Sequence, residues 1–326
     1  MVAYTGIQGQ NILIVSSDPS NPVEGQIWYN STTNLLKGYQ FATVNAWAAG
    51  GNLNTSRAYL AAAGNQTAAL GFGGYAPPAV FNNTESYNGS SWTAVNVLNT
   101  ARSGLGGAGT QTSALGFGGY AGGRLNNSES WNGTSWTATP TLNTTRHDLG
   151  GCGASNTSAL GFGGNQPVIG QSAATESWNG SSWTSVNSMN TARLGLDGFG
   201  IQTAALGFGG FTAAPALTAA TESWNGTSWT SVNSLNTARN ALSGAGTQTL
   251  GIAFGGATPS NTGATELWNG TSWTTNPNSM ATARQALAGG GTQTAALGFG
   301  GYTGTYVANT EEWTGTVLAT RTITTS

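Results

Sequence analysis

The chain has 326 residues, enough for two average domains or one large β domain. Only 6% are charged and the net charge is −2, with one Lys and eight Arg, so there is no basic patch for nucleic-acid phosphates. No apolar run reaches the roughly 18 residues of a membrane-spanning helix, and the lone Cys152 excludes an internal disulfide framework and reads as a buried small hydrophobe. The 51 glycines suggest low complexity, but the 12 Trp recur at fixed positions, and a disordered chain lacks the apolar surface to offset its ordering entropy.

In chain order, Met1–Thr5 lacks the basic stretch of a secretory signal. Gln10–Val15 predicts a short strand, and Asp18-Pro19-Ser20-Asn21-Pro22 a turn-rich linker. Gly25–Asn30, the polar turn Ser31–Asn34 and Leu35–Tyr39 read as a β-hairpin. Asn45-Ala46-Trp47 then leads into a unit of about 45 residues that recurs six times.

Each unit opens on an Arg: Arg57, Arg102, Arg146, Arg193, Arg239 and Arg284. An apolar run follows and ends in a glycine pair, from Gly73-Gly74 to Gly300-Gly301. Next come a Glu (Glu85, Glu129, Glu176, Glu222, Glu266 and Glu311), an aromatic, and in five copies an Asn-Gly turn leading to a Trp. No 3.6-residue periodicity appears. Four short strands per unit of this length predict one propeller blade.

The repeated residues read as architecture. Glycine allows positive φ or close backbone approach, whereas a phosphate cradle would need a helix after the glycines. The Asn-Gly pairs, each followed by Ser or Thr, match glycosylation sequons, but Asn-Gly is also the strongest tight-hairpin signal and accounts for the pattern. The Trps predict inter-blade core, in preference to a sugar-stacking surface. Each Glu is expected within charge-assisted contact of a repeat Arg.

The order apolar strand, Gly-Gly, variable loop, acidic-aromatic strand, Trp strand and Arg resembles the kelch repeat of β-propellers over roughly residues 45–315, with Trp-Trp in most copies where the family has Tyr and Trp. Residues 18–47, from Asp18-Pro19-Ser20-Asn21-Pro22 through Ile27-Trp28-Tyr29-Asn30 to Leu35-Leu36-Lys37-Gly38-Tyr39, resemble a segment common in bacteriophage tail-fibre and virion proteins. The first resemblance implies an all-β, kelch-like propeller of four-stranded blades, and the six Arg strands, six Gly-Gly strands and, with Trp47, six Trp strands predict a six-bladed one. Trp47's strand is expected to close the blade begun at Arg284. In a competing closure Val317 to Ile323 supplies that strand, and a seven-bladed ring would lack its seventh Gly-Gly strand. The boundaries expected are residues 1–44 for an N-terminal arm and hairpin and 45–326 for the propeller.

Kelch-like folds include copper-radical oxidases, which need several His and Tyr ligands and a Cys cross-linked to a Tyr. With one His, His147, and one Cys, a multi-histidine metal site is impossible. His147 stands after Arg146 where other units carry other residues, and reads as incidental. Acidic residues outside the Glu series are Asp18, Glu24, Asp148, Asp197 and Glu312, and no pattern among them points to a glycosidase carboxylate pair. No enzyme activity and no cofactor are expected.

What varies is the loop after each glycine pair. Candidate interaction residues there are Tyr75, Phe81, Tyr120, Arg124, Val168, Ile169, Phe211, Leu217, Tyr302 and Tyr306. Strand alternation puts these loops on one face, opposite the Asn-Gly turns, and loops on a rigid scaffold are where recognition concentrates. Candidate anchor residues in the arm are Ile12, Ile14, Trp28 and Tyr29. The phage resemblance implies a non-enzymatic protein of the virion surface, a tail-fibre, appendage or head-decoration component. Its partners would be other virion proteins through the arm and a host-surface glycan or receptor, with room for a homo-oligomer and without nucleic acid or membrane insertion. The alternatives are a carbohydrate- or receptor-binding propeller, betrayed by exposed aromatics clustered on the loop face, and a glycan-active propeller hydrolase, betrayed by converging titratable groups in the channel.

Overall fold

The computed structural model describes residues 12–23, 25–42, 45–168, 170–213 and 216–323. The described residues form strands and turns and no helix. The chain divides into two compact units: Ala46–Thr314, and the segment up to Asn45 together with the chain from Gly315 onward.

The larger unit contains six four-stranded antiparallel sheets, an architecture consistent with a β-propeller. The first consists of Ala61–Asn65, Ala68–Phe72, Thr84–Tyr87 and Trp92–Val95, and the next four repeat its order. The sixth joins Ala288–Gly291, Ala295–Phe299 and Thr310–Thr314 to Ala46–Ala49, with Trp47 opposite Trp313. The first strands are built mostly of Gly and Ala (Gly106-Gly107-Ala108-Gly109, for example), so six of them fit side by side around a central channel. Two cavities of about 220 and 180 Å³ share Ala62, Gly151, Gly198, Gly244 and Gly289 in their walls and together form that channel.

Successive sheets are joined by the same contacts each time. The Phe ending one second strand packs on the fourth-strand Trp of the following sheet, as Phe72 on Trp136 at 4.8 Å and Phe117 on Trp183 at 4.9 Å. Phe299 of the sixth sheet packs in the same way on Trp92 of the first, at 4.6 Å. A Gln or Asn at the hairpin between first and second strands donates to a backbone carbonyl of the preceding sheet: Gln111 to Tyr87, Asn156 to Trp131, Gln202 to Trp178, Gln248 to Trp224, Gln293 to Trp268 and Gln66 to Trp313. The Gln-Thr pair behind these bonds recurs with the same period as the Args, which is its signal in the sequence.

Five fourth-strand Trps also donate their indole N–H across the same boundary to a Thr hydroxyl, as Trp136 to Thr84 and Trp92 to Thr310, both at 3.0 Å. The sixth copy has Ser128 in the Thr position. There the Trp183 indole nitrogen and the Ser128 hydroxyl are both buried without a partner among the described residues. Replacing Ser128→Thr supplies the missing methyl and holds the hydroxyl in the rotamer that the other five copies use. The expected gain is about 1 kcal/mol in equilibrium denaturation; an unchanged midpoint would mean that the bond does not form.

The second unit is a sheet in the order Leu13–Val15, Ile27–Asn30, Leu35–Ala42 and Val317–Thr322. Its first pair is parallel, and the last pairs Lys37–Ala42 with Val317–Thr322 over six residues. The chain after Thr314 therefore belongs with the N-terminal arm, not with the larger unit as the 45–326 boundary expected. Asp18, read only as part of a linker, organises this unit. Its carboxylate accepts from Lys37 Nζ at 2.7 Å, Asn30 Nδ2 at 2.8 Å and Trp28 Nε1 at 3.0 Å. Those donors, Lys37 foremost, hold its pKa down at about 2. Among the anchor candidates Trp28 is buried and Tyr29 half-buried, while Ile12 and Ile14 are exposed, Ile14 at 71%.

Candidate functional site at the channel mouth

The repeat Args and Glus lie inside the sheets. All six Args are fully buried, and each meets the Glu of its own sheet: Arg102–Glu129 at 3.2 Å, Arg146–Glu176 at 3.0 Å, Arg193–Glu222 at 3.1 Å, Arg239–Glu266 at 3.0 Å, Arg284–Glu311 at 2.5 Å, and Arg57 in contact with Glu85. Their Nη groups also bond carbonyls of the glycine strand, as Arg146 to Gly161 and Gly163, while the Nε of Arg102, Arg146, Arg193, Arg239 and Arg284 is buried without a partner among the described residues. Burial pulls the Arg pKa values down and the adjacent carboxylates push back. Glycine is needed at the pair itself. Gly73 has φ +68°, and a Cβ there would stand 2.6 Å from the Arg102 carbonyl.

Every Arg is followed by two variable residues and then a buried Leu: Arg57-Ala58-Tyr59-Leu60, Arg102-Ser103-Gly104-Leu105, Arg146-His147-Asp148-Leu149, Arg193-Leu194-Gly195-Leu196, Arg239-Asn240-Ala241-Leu242 and Arg284-Gln285-Ala286-Leu287. The first of the pair bridges the residue after the glycine pair, as Ala58 does Tyr75, Ser103 does Tyr120 and His147 does Asn165. The second is in the left-handed region in all six units, with φ between 49° and 60°. These six residues bond one another through the backbone. Tyr59 N–H donates to Ala286, Ala286 to Ala241, Ala241 to Gly195, Gly195 to Asp148, Asp148 to Gly104, and Gly104 back to Tyr59, at 2.7–2.9 Å. Two flanking anchors, the buried Arg and the buried Leu, force this turn, and the ring of amides frames one mouth of the channel.

The non-repeating residues converge around that ring. Tyr302 and Tyr306 pack at 5.1 Å with their rings tilted by 60°, and Tyr306 meets Tyr75 edge-on at 5.6 Å. Tyr59, which the sequence pattern alone did not single out, belongs to the same group. It is 38% exposed, and burial, Asp148, Tyr306 and Tyr302 in that order raise its phenol pKa. Tyr120, 39% exposed, lies edge-on to His147 at 5.4 Å. His147 Nδ1 stands 3.0 Å from the Asp148 carboxylate. Arg124 donates through Nε and Nη2 to Asn165 Oδ1, at 3.1 and 2.8 Å. Phe211 pairs with Leu217 in a short hairpin and forms a separate apolar sector, Val168 is a hairpin tip exposed at 95%, and Phe81 is half-buried beside the glycine pair. Ile169 lies outside the described residues. The signal for Tyr59, His147 and Asp148 was variability inside the constant Arg-x-x-Leu frame.

Deeper in the channel, Asp197 stands at the start of a first strand where the other sheets carry Ala, Gly or Ser. Its carboxylate accepts from Gly244 N–H at 2.8 Å and Ser243 Oγ at 3.3 Å. Burial raises its pKa to about 7 despite those donors and the Gly198 amide. Because the folded value lies above the unfolded one, its contribution to stability is full below about pH 4. That contribution falls as the pH rises and is lost through about pH 7. Asp197→Asn is therefore expected to stabilise the protein above pH 7, on the order of 2 kcal/mol after allowing for channel water, with no gain at pH 4. Urea titrations of both proteins at pH 4, 6 and 8 check this; a pH-independent difference contradicts it. Cys152 is buried on a neighbouring strand, and burial pushes its thiol pKa up, so it is a poor nucleophile. No protein-family model matches the chain, and no curated protein matches it.

Proposed function

We propose that the six sheets are the blades of a kelch-like, six-bladed β-propeller, and that the chain is a non-enzymatic bacteriophage virion-surface component, from a tail fibre, an appendage or a head decoration. The observation that carries an attachment role is the distribution of variation. The frame repeats in all six sheets, while Tyr59, Tyr75, Tyr120, Arg124, His147, Asp148, Tyr302 and Tyr306 gather on one face around the channel mouth. A rigid scaffold with one variable face suits recognition. The likeness of residues 18–47 to phage virion segments supports the location, and the exposed Ile12 and Ile14 suit an arm that contacts other virion proteins. One His and one Cys in the whole sequence exclude a multi-histidine or multi-cysteine metal site.

Two measurements test this reading. Mass spectrometry of purified phage particles encoding the chain is expected to find it in stoichiometric amounts; its presence only in the soluble lysate would overturn the virion assignment. A photo-crosslinker at Ile14 is expected to capture a different virion protein, and crosslinks confined to the same chain would remove the anchoring role.

A further inference from the structure

We infer that the channel mouth binds a neutral glycan, one sugar ring lying on the tyrosine cluster of Tyr59, Tyr75, Tyr302 and Tyr306 with its hydroxyls bonded to the Asp148 carboxylate. This deepens the reading of the mouth as an attachment face and rests on it.

The aromatic inventory carries the first step. The Trp and Phe residues of the repeat are almost all committed to packing between sheets. Outside that frame the loops carry tyrosines together with Phe81 and Phe211, and four of the tyrosines come together at this mouth. A tyrosine offers an apolar face with negative π-density, which attracts the C–H face of a sugar, and a polar tip for its hydroxyls. The second step is Asp148. One carboxylate oxygen is 3.0 Å from His147 Nδ1. The other lies over Gly104, where a Cβ would stand 2.5 Å from it. The glycine at that ring position leaves room for the carboxylate to reach across towards the sheet of Tyr59. A carboxylate beside an aromatic platform accepts charge-assisted hydrogen bonds from neighbouring hydroxyls. The third step is position. Tyr59 and Asp148 line the channel cavity of about 220 Å³, while Tyr75, Tyr302 and Tyr306 lie outside its lining, so the ligand sits over the mouth and not within the channel.

Other ligands fit less well. A quaternary ammonium needs rings held apart around an open cage, but here Tyr306 packs directly on Tyr302 and Tyr75. A phosphate would face Asp148, while the Arg124 guanidinium is engaged with Asn165.

The purified full-length chain is tested on a glycan array, then by saturation-transfer NMR and calorimetry with the free sugars that score. Choline chloride and inorganic phosphate serve as control probes. A neutral sugar is expected to bind, and Tyr306→Ala, Tyr59→Ala and Asp148→Asn are each expected to weaken it by about tenfold or more. Leu250→Ser, at an exposed hairpin away from the mouth, should leave binding unchanged. Asn tolerates the left-handed region, so Asp148→Asn should keep the parent's denaturation midpoint, which separates lost binding from lost folding. A blank array, binding that survives all three mouth substitutions, or saturation by choline or phosphate in place of sugar each overturns the inference. If particles contain the chain but no sugar binds, the glycan falls and the virion role stands. If sugar binds but particles lack the chain, the virion role falls and the glycan stands.

Discussion

Glu222→Ala is expected to lower stability by about 3–5 kcal/mol, because it leaves the fully buried Arg193 guanidinium without its counter-charge. The carboxylate does more than neutralise. One oxygen takes Arg193 Nη2 at 3.1 Å and the Thr191 amide at 3.2 Å, and the other takes the Asn190 amide at 2.6 Å. It thereby ties the loop entering the first strand of its own sheet to the third strand. Arg193 reaches in turn to the carbonyls of Gly207, Gly209 and Ala220, and holds the glycine turn from the other side. Arg193→Met should cost a comparable amount, since it strands a buried carboxylate and three carbonyls. The double variant Arg193→Met/Glu222→Leu carries no unpaired charge, so its loss should fall well short of the sum of the two singles. A double-mutant cycle read from urea midpoints decides the matter. Additive losses would mean that the two residues act independently, and that the pairs are not what sets the geometry of the turn.

Local pattern was readable wherever a residue's role is completed within its own repeat. The Arg and Glu of each pair recur once per unit, 27 to 30 residues apart, and the alternation of apolar strand, turn and Trp strand marks the four-strand grouping. Trp47 could be placed because Asn45-Ala46-Trp47 copies the Asn-x-x-x-Trp environment of the other fourth strands in reduced form. What could not be read depends on chain separation. Tyr59 and Ala286 are brought into hydrogen-bond contact only when the sixth sheet meets the first. Nothing local says that six Arg-x-x-Leu turns share one ring. The strand Val317–Thr322 looked like surplus propeller because its partner, Leu35–Ala42, lies at the other end of the chain. Asp18 sits in a sequence that spells a turn, and its three donors become visible only after the arm folds. Asp197 departs from the small residues of the other first strands, yet only the narrowness of the channel turns that departure into a raised pKa.

Trp136→Ala is expected to cost about 3–5 kcal/mol, the usual range for emptying a large aromatic site in a core. The ring packs on Phe72 at 4.8 Å and on its own-sheet partner Trp131 at 5.5 Å, so the void opens between the first and second sheets as well as within one. Its indole N–H bonds Thr84 across that boundary, and truncation also orphans a buried hydroxyl. Burial and hydrogen bond can be separated, because one of the repeats performs the control. Trp183 packs on Phe117 at 4.9 Å, much as Trp136 packs on Phe72, yet its indole nitrogen has no acceptor among the described residues. Trp136→Phe should therefore destabilise by about 1 kcal/mol more than Trp183→Phe, the net worth of one buried hydrogen bond. In the Ser128→Thr background the difference should shrink, since Trp183 then has a bond to lose. Equal costs for the two Phe variants in the parent protein would mean that stacking alone holds neighbouring sheets together, and that the Thr on each third strand serves its own sheet.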